Sequence, residues 1–235
     1  MTRRRWIADE FSEHHATLLA QNAAHLARVL RARVGQEFEI VCGDAVRRGT
    51  VDSVSDTRVE FALGDAVPAE SEREIILVMA IYKFDRMEWA IEKCTELGAT
   101  RIIPVIARRT ESHLAHAAEK RVERWRRIAH ESAQQSRRPR PPQIDEPMKL
   151  RSALALEAST RLLLNENEHS KNLREALAEA AAPIAFAVGP EGGWAEEELV
   201  QFSVAGWRSV TLCSTILRAE TAAIAALAGA AAILD

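Results

Sequence analysis

The spacing of apolar residues changes near residue 70 and divides the chain into two regions. In the first region, short apolar or alternating runs bounded by turn residues predict β-strands at 5–8, 16–19, 38–42, 50–54 and 58–62. The segment 22–31 has apolar residues at helical spacing and predicts one helix. This pattern is typical of a small β-barrel. The Gly- and Pro-containing segment 64–71 predicts a linker, so we expect two domains, 1–70 and 71–235.

The second region alternates strand-like and helix-like patterns. Strands are predicted at 75–81, 101–106, 143–144, 161–164, 184–188 and 209–212. Helices are predicted at 84–97, 117–135, 148–156, 172–181, 196–204 and 219–234. Such alternation builds an α/β fold in which helices cover a parallel sheet. Ligands of these sheets bind beyond the carboxyl ends of the strands.

A glycine-rich segment, 189–193 (GPEGG), follows the predicted strand 184–188. Its glycines permit backbone angles and close approaches that a Cβ atom forbids. The segment has neither the Lys-Ser/Thr of a phosphate loop nor a G-x-G-x-x-G pattern. Two interpretations fit: a tight strand-to-helix turn, or a turn that contacts a ligand. Glu191 within it either closes the turn by accepting backbone N–H groups or contacts a cation.

Two further predicted strands end in unusual sequence. Asn165 and Glu166 follow the strand 161–164, and Cys213 follows the strand 209–212. With the glycine segment they give three loops that converge at one edge of the sheet, which predicts a site there. Arg218, just before the last helix, can hold an anion or stabilise one formed in a reaction. Glu220 and Thr221 are also ordinary helix-start residues.

Composition limits the class of protein. The chain is 47% hydrophobic and 28% charged, as in a soluble globular protein. Three scattered cysteines and unpaired histidines predict neither disulfides nor a metal site, which suits a cytoplasmic protein. The apolar segment 221–234 is too short to span a bilayer, so we expect no membrane partner.

The charge is unevenly distributed. The net charge is −3, yet residues 101–140 contain eleven Lys or Arg and only four acids. This local excess fits either a face that docks a polyanion or a solvated helix surface.

Several motifs together carry a resemblance to a known family. The segments 189–193 (GPEGG) and 216–222 (ILRAETA) are the most specific. Further matches are 25–31, Lys93 with 96–98, 124–125, Glu131, 134–136 and Arg138. Taken together, the chain resembles the ribosomal RNA small-subunit methyltransferase E family, which belongs to the SPOUT class.

The resemblance implies a fold, a reaction and partners. The N-terminal domain would be a PUA-like β-barrel that binds RNA. The C-terminal SPOUT domain would carry a deep trefoil knot, an exception to the rule that chains do not thread their own loops. The protein would be a cytoplasmic homodimer that uses S-adenosylmethionine to methylate N3 of one uridine in small-subunit ribosomal RNA. We expect the enzyme to bind this RNA within an assembled particle.

The resemblance also implies roles for individual residues. Arg218 is the predicted catalytic residue. The predicted cofactor-binding residues are Leu164, Glu166, Gly189, Pro190, Glu191, Gly192, Leu212, Cys213, Ser214, Leu217, Glu220 and Thr221. The predicted RNA-binding residues are Arg3, Arg5, Arg28, Arg31, Arg109, Arg124, Arg137 and Arg138.

The chain departs from the family pattern at one place. The family usually has Leu-Gly-x-Arg before the Ile-Leu-Arg motif, whereas this chain has Cys213 and Thr215 at the glycine and arginine positions. Because the arginine is missing, the chain has one candidate contact fewer than the family pattern provides. Two alternatives therefore stay open: a related SPOUT enzyme acting on another base or a 2′-hydroxyl, and an RNA-binding assembly factor without catalysis.

Overall fold

The computed structural model describes residues 5–43, 45–68, 73–136 and 138–234. The chain divides into two compact units. Residues 1–71 and 133–141 form the first unit, and residues 72–132 and 142–235 form the second.

The first unit is built around one six-stranded sheet. Its elements are β1 (Arg5–Ile7), β2 (Glu10–Phe11), β3 (His15–Leu19), α1 (Ala20–Ala24), β4 (Glu37–Cys42), β5 (Ala45–Val54) and β6 (Arg58–Val67). The strand order is β1-β4-β5-β6-β3-β2. All neighbouring pairs are antiparallel except β1 with β4. Apolar side chains such as Leu18, Leu26, Ile40 and Phe61 are fully buried and form its core.

Two predicted features of the first unit differ from the structure. β6 continues through the first half of the predicted linker, because Val67 pairs with Val46 and Ala66 pairs with Arg47 on the longer β5. The Arg47 guanidinium also donates to the Gly64 carbonyl, with Nε and Nη2 at 2.9 and 2.7 Å. The predicted helix 22–31 is instead the short α1 followed by a π-helical turn, His25–Val29.

The second unit alternates strands and helices. Its strands are β7 (Ile75–Ala80), β8 (Arg101–Ile106), β9 (Gln143–Ile144), β10 (Met148–Lys149), β11 (Thr160–Leu164), β12 (Ile184–Val188) and β13 (Arg208–Val210). Its helices are α2 (Phe84–Glu96), α3 (Ser112–Ala117), α4 (Val122–Gln135, whose last three residues group with the first unit), α5 (Leu150–Ala153), α6 (Leu173–Ala178), α7 (Glu196–Val204) and α8 (Ala219–Leu234).

The strands of the second unit form a parallel sheet, which confirms the predicted α/β architecture. The order is β10-β8-β7-β12-β11-β13, with β9 also on β8, and every pair is parallel. All six residues of β7 are buried. They alternate between two apolar clusters, with Leu77 in one and Val78 in the other. Both faces of the sheet are therefore covered, as expected for a parallel sheet.

Some predicted elements have different bounds or a different type. The predicted helix 148–156 is wrong at its start, because Met148 and Lys149 pair with Val105 and Ile106 as β10 before the short α5 begins. The predicted helix 117–135 is divided, with α3 ending at Ala117 and a 3₁₀ turn, Glu119–Arg121, preceding α4. The bounds of α7 and α8 are as predicted. Within the described ranges, no helix has the length and apolar character needed to cross a membrane.

Candidate functional site

A cleft open to solvent lies at the carboxyl edge of the second unit's sheet. It is formed by the loops that follow β11, β12 and β13 and by the start of α8. Its lining residues are Leu164, Asn165, Glu166, Val188, Gly189, Pro190, Glu191, Gly193, Trp194, Thr211, Leu212, Cys213, Thr215, Ile216, Leu217, Ala219 and Ala222. The three loops meet because parallel, adjacent strands bring their carboxyl ends together.

The structure brings most of the predicted cofactor-binding residues to this cleft. Those on its lining are Leu164, Glu166, Gly189, Pro190, Glu191, Leu212, Cys213 and Leu217. Those that do not line it are Gly192, Ser214, Glu220, Thr221 and the predicted catalytic Arg218. Asn165 and Gly193 also line the cleft; they lie in the loops predicted to converge but were not among the predicted cofactor-binding residues. The remaining lining residues, such as Thr215 and Ala222, are chain neighbours of predicted ones.

The glycine segment after β12 folds into a closed turn. Gly193 N donates to Pro190 O over 2.8 Å. The φ angle of Gly193 is +70°, in the left-handed region. A Cβ atom at Gly193 would lie 2.5 Å from Glu166 Oε1, whereas ordinary contacts are longer. The backbone conformation thus favours glycine here, and a Cβ would also displace the Glu166 carboxylate of the neighbouring β11 loop.

Glu191 contacts a cation within the protein, the guanidinium of Arg86. It does not close the glycine turn, which is closed by the backbone hydrogen bond of Gly193. The Glu191 Oε1 atom lies 3.8 Å from Arg86 Nη1. Arg86 Nε lies 3.9 Å from Oε1 of Glu220, in the first turn of α8. Glu220 is only 4% exposed, and its Oε2 has no hydrogen-bond partner among the described residues.

Tyr82 is buried close to these two carboxylates. Its pKa is raised, first by burial and further by electrostatic interaction with Cys94, Glu220 and Glu191. The Tyr82 hydroxyl donates to Met79 Sδ over 3.3 Å. The phenol is therefore neutral at physiological pH, and it does not supply its proton to Glu220.

The loop after β13 is held by its own side chains. Thr211 Oγ1 donates to the Cys213 carbonyl over 3.1 Å. Cys213 Sγ lies 3.3 Å from the Thr215 carbonyl and 3.4 Å from Thr215 Oγ1. The two residues that depart from the family pattern thus contact each other. Cys213 is exposed and lines the cleft.

The loop after β11 is anchored to β13. Asn165 N donates to Val210 O over 3.1 Å, and Asn165 Nδ2 donates to Ser209 Oγ over 3.1 Å. Asn165 Oδ1 also accepts from Asn167 N over 3.0 Å, which is an Asx turn. These bonds fix the backbone that carries Glu166 into the cleft.

The loop after β8 supports the glycine turn from outside the cleft. The Arg109 guanidinium donates to the Gly192 carbonyl, and its Cδ is near the position of a Cβ on Gly192. Glu198, 5% exposed on α7, accepts from Arg108 N over 2.8 Å and from Ala195 N over 2.9 Å. The same carboxylate therefore joins the β8 loop to the start of α7.

Arg218 lies at the beginning of α8. Its carbonyl accepts from Ala222 N over 2.8 Å, which begins the helix. Its side chain is exposed, and it forms no ion pair with any residue in the described ranges. Leu217 and Ala219 on either side of it line the cleft, so Arg218 is at the cleft margin with its charge available.

The predicted RNA-binding arginines occupy different environments. Arg3 and Arg137 lie outside the described residues. Three are ion-paired: Arg5 with Glu39 at 2.9 Å, Arg28 with Asp56 at 2.7 Å and Arg124 with Glu88 at 2.7 Å. Arg109 contacts Gly192 as described, Arg31 is exposed with φ of +50°, and Arg138 is only 7% exposed.

The excess positive charge around α4 is partly neutralised in the structure. Arg121 and Arg124 both lie within 4 Å of Glu88, at 3.6 and 2.7 Å. Arg126 pairs with Glu123 at 2.6 Å and with Glu146 at 2.9 Å. Two of these acids, Glu88 and Glu146, lie outside the segment 101–140. The positive charge of this surface is therefore smaller than the charge count of the segment alone indicates. Among the described residues, no group of three or more His, Cys, Asp and Glu side chains is arranged to hold a metal ion.

Comparison with known proteins covers nearly the whole chain. Residues 69–231 match the model of the RNA methyltransferase domain family. The chain is 31% identical to ribosomal RNA small subunit methyltransferase E of Synechocystis, over 97% of this chain and 76% of that protein. It is 34% identical to the protein of the same name from Mycobacterium tuberculosis, over 89% of this chain and 83% of that one.

A solved structure agrees with the sequence comparison. The ribosomal RNA small subunit methyltransferase E from Neisseria gonorrhoeae, crystallised with S-adenosyl methionine bound, superposes with a TM-score of 0.83 at 31% identity. The match covers 96% of this chain and 95% of that one. On the family model and these relatives together, the chain belongs to the ribosomal RNA small subunit methyltransferase E family.

Proposed function

We propose that this protein is an S-adenosylmethionine-dependent methyltransferase that methylates N3 of one uridine in small-subunit ribosomal RNA. The observation that carries the proposal is the cleft formed by the glycine turn and the two neighbouring loops, in a chain of this family. The Neisseria relative, whose structure was solved with S-adenosyl methionine, supports the choice of cofactor.

The residues of the cleft fit that cofactor. Small-molecule sites combine apolar side chains with a few well-placed polar groups, and the lining of this cleft has both. Apolar side chains such as Leu164 and Leu212 suit an adenine ring, and the carboxylates of Glu166 and Glu191 suit a cationic ligand. The absence of a Cβ at Gly193 leaves space beside Glu166.

We assign cofactor contacts to the predicted residues on the lining and supporting roles to the others. The proposed contacts are Leu164, Glu166, Gly189, Pro190, Glu191, Leu212, Cys213 and Leu217. Gly192, Ser214, Glu220 and Thr221 would hold the backbone around them. The departures at Cys213 and Thr215 keep the loop closed through their mutual contact.

Arg218 is the proposed catalytic residue. S-adenosylmethionine supplies a methyl group bonded to a positively charged sulfur. Uracil N3 must lose its proton to accept that group, and the resulting ring carries negative charge. An exposed guanidinium without a partner among the described residues, at the cleft margin, can stabilise that charge as it forms. Holding acceptor and donor in line contributes the remainder of the rate.

The same family membership motivates the proposed partners and architecture. We propose a cytoplasmic homodimer with a PUA-like first unit and a trefoil knot in the second. The RNA, within an assembled particle, would be contacted by Arg3, Arg5, Arg28, Arg31, Arg109, Arg124, Arg137 and Arg138. The exposed Arg31 is the clearest of these, because surface arginines can contact phosphate oxygens.

Two measurements test the proposed function. Calorimetric titration of the protein with S-adenosylmethionine should give saturable binding. The absence of binding would reject the proposal that the protein is a methyltransferase. Mass spectrometric mapping of ribosomal RNA from a deletion strain should show one uridine N3-methylation lost. Loss of a methyl group from another base or from a 2′-hydroxyl would reject the substrate while keeping the enzyme class.

A further inference from the structure

We propose that Arg86 is a positioning residue that joins two segments lining the cleft, the glycine turn and the start of α8, and thereby sets the geometry for methyl transfer. The reaction it would serve is the proposed function above. No sequence motif pointed to Arg86; its place in the structure does.

Arg86 reaches two segments that are far apart in the chain. It lies in the first turn of α2, 3.8 Å from Glu191 of the glycine turn and 3.9 Å from Glu220 of α8. Glu191 belongs to one wall of the cleft. Glu220 lies between Ala219 and Ala222, which also line the cleft. One guanidinium therefore connects two segments that both contribute to the lining of the cleft.

The ion pair with Arg86 compensates the charge of a buried carboxylate. Glu220 is 4% exposed and its Oε2 has no hydrogen-bond partner among the described residues. A buried carboxylate without a counter-charge is strongly unfavourable. The nearby Tyr82 hydroxyl donates to Met79, so it does not satisfy Glu220. Within the described ranges, Arg86 is the basic residue that forms an ion pair with Glu220.

Arg86 acts through other residues and does not meet the ligand. It is absent from the cleft lining, and about a third of its side chain, 32%, is exposed. Removing it would let the glycine turn and the start of α8 move independently. A displacement of about 1 Å at a reacting centre can lower a rate by roughly 100-fold. We therefore expect kcat to fall more than cofactor affinity.

Hydrogen exchange on the ligand-free protein tests the connection without relying on activity. Arg86→Gln should accelerate amide exchange by about tenfold or more, equivalent to about 1.4 kcal/mol, in both 189–194 and 217–222. Arg151→Gln is the matched control, because Arg151 is exposed on α5 and forms no ion pair within the described ranges. Unchanged exchange in either segment would overturn the proposal, whether or not the protein proves to be a methyltransferase.

Kinetics then separate positioning from a purely structural role. In Arg86→Gln, kcat should fall by about 10- to 100-fold with the Kd for S-adenosylmethionine changed by less than about threefold, and Arg86→Lys should recover part of kcat. The double variant Arg86→Gln/Glu220→Gln removes the uncompensated charge, so it should recover thermal stability but not kcat. Recovery of kcat together with stability would overturn the proposal. Failure of the wild-type protein to bind S-adenosylmethionine would instead reject the proposed function.

Discussion

Gly193 shows how one residue can affect both the backbone and the position of a neighbouring side chain. We expect Gly193→Ala to lower the free energy of unfolding by about 1–3 kcal/mol, because its φ of +70° is strained for alanine. The added methyl group would also meet Glu166 Oε1 at 2.5 Å. Displacement of Glu166 should weaken S-adenosylmethionine binding by about tenfold, the effect of losing one charged contact of ~1.4 kcal/mol. Thermal unfolding and calorimetry measure the two effects.

Gly98 provides the control for that substitution. Its φ is +95°, yet nothing lies within 4 Å of a Cβ placed on it. Gly98→Ala should therefore lower stability through strain while cofactor affinity stays within about twofold of wild type, less than ~0.5 kcal/mol. Equal losses of affinity in the two variants would contradict the assigned role of Gly193.

Substitution of Arg218 is expected to lower the turnover rate and to leave the binding of S-adenosylmethionine nearly unchanged. Arg218→Ala should lower kcat by at least about 100-fold, the loss typical of one preorganised donor to a transition-state anion. Its exposed side chain is not on the cleft lining, so the Kd for S-adenosylmethionine should change by less than about threefold. Single-turnover methylation and calorimetry are the measurements. The control is Arg174→Ala, at an exposed arginine of α6. A wild-type kcat in Arg218→Ala would show that Arg218 has no catalytic role.

Residue types and spacing predicted the cleft better than they predicted contacts between side chains. The glycine segment and the residues at strand ends were predicted as a site, and most of them line the cleft. The link from Glu191 to Arg86 was not predictable, because the two residues come from distant elements and neither lies in a pairing motif. Nor did the pattern indicate that Arg124 is paired with Glu88.

At the scale of elements, α7 depends on a buried acid at its start. Glu198→Gln should lower the free energy of unfolding by about 1–3 kcal/mol, because Gln replaces one of the two oxygens that accept from Arg108 N and Ala195 N with an NH₂ group, which cannot accept. The neighbouring Glu197→Gln is the matched control, since Glu197 is exposed in the same helical turn. Chemical denaturation measures both variants. Equal stability of the two would contradict a bridging role for Glu198.

Periodicity identified long elements and failed on short ones. The bounds of α8 (Ala219–Leu234) and α7 (Glu196–Val204) follow from the pattern and adjoin clear start signals. β10 has two residues, which is too few for any period, and it is a strand because β8 provides a partner. The predicted helix 22–31 gave no sign that its second half would be a π-helical turn.

At the scale of the molecule, the whole cleft belongs to the second unit, since its lining residues fall between Leu164 and Ala222. Ligand present at about 100 times its Kd stabilises a folded protein by about 2.7 kcal/mol. We expect S-adenosylmethionine to slow amide exchange in the sheet and helices of the second unit and to leave β3–β6 of the first unit unchanged. Equal protection in both units would contradict the independent response of the second unit.

The alternation of strands and helices predicted the parallel sheet because each βα unit is a local pattern. Strand order is not local: β13 lies next to β11, and β12 lies between β11 and β7. That order decides which three loops meet. The sequence pattern predicted convergence of the loops from their shared edge, and the structure supplies the order that makes them neighbours.

Cys213 makes the cleft accessible to a simple chemical probe. Its thiol is exposed on the lining, while Cys42 and Cys94 are buried and burial raises the pKa of both. Because the thiolate is the reactive form, a maleimide should modify the folded chain at Cys213 alone. S-adenosylmethionine bound beside that thiol should slow the labelling, whereas labelling at an unchanged rate would place the ligand elsewhere. The residue that replaces the family's glycine thus provides a single-site reporter of occupancy, readable by intact-mass spectrometry without an engineered label.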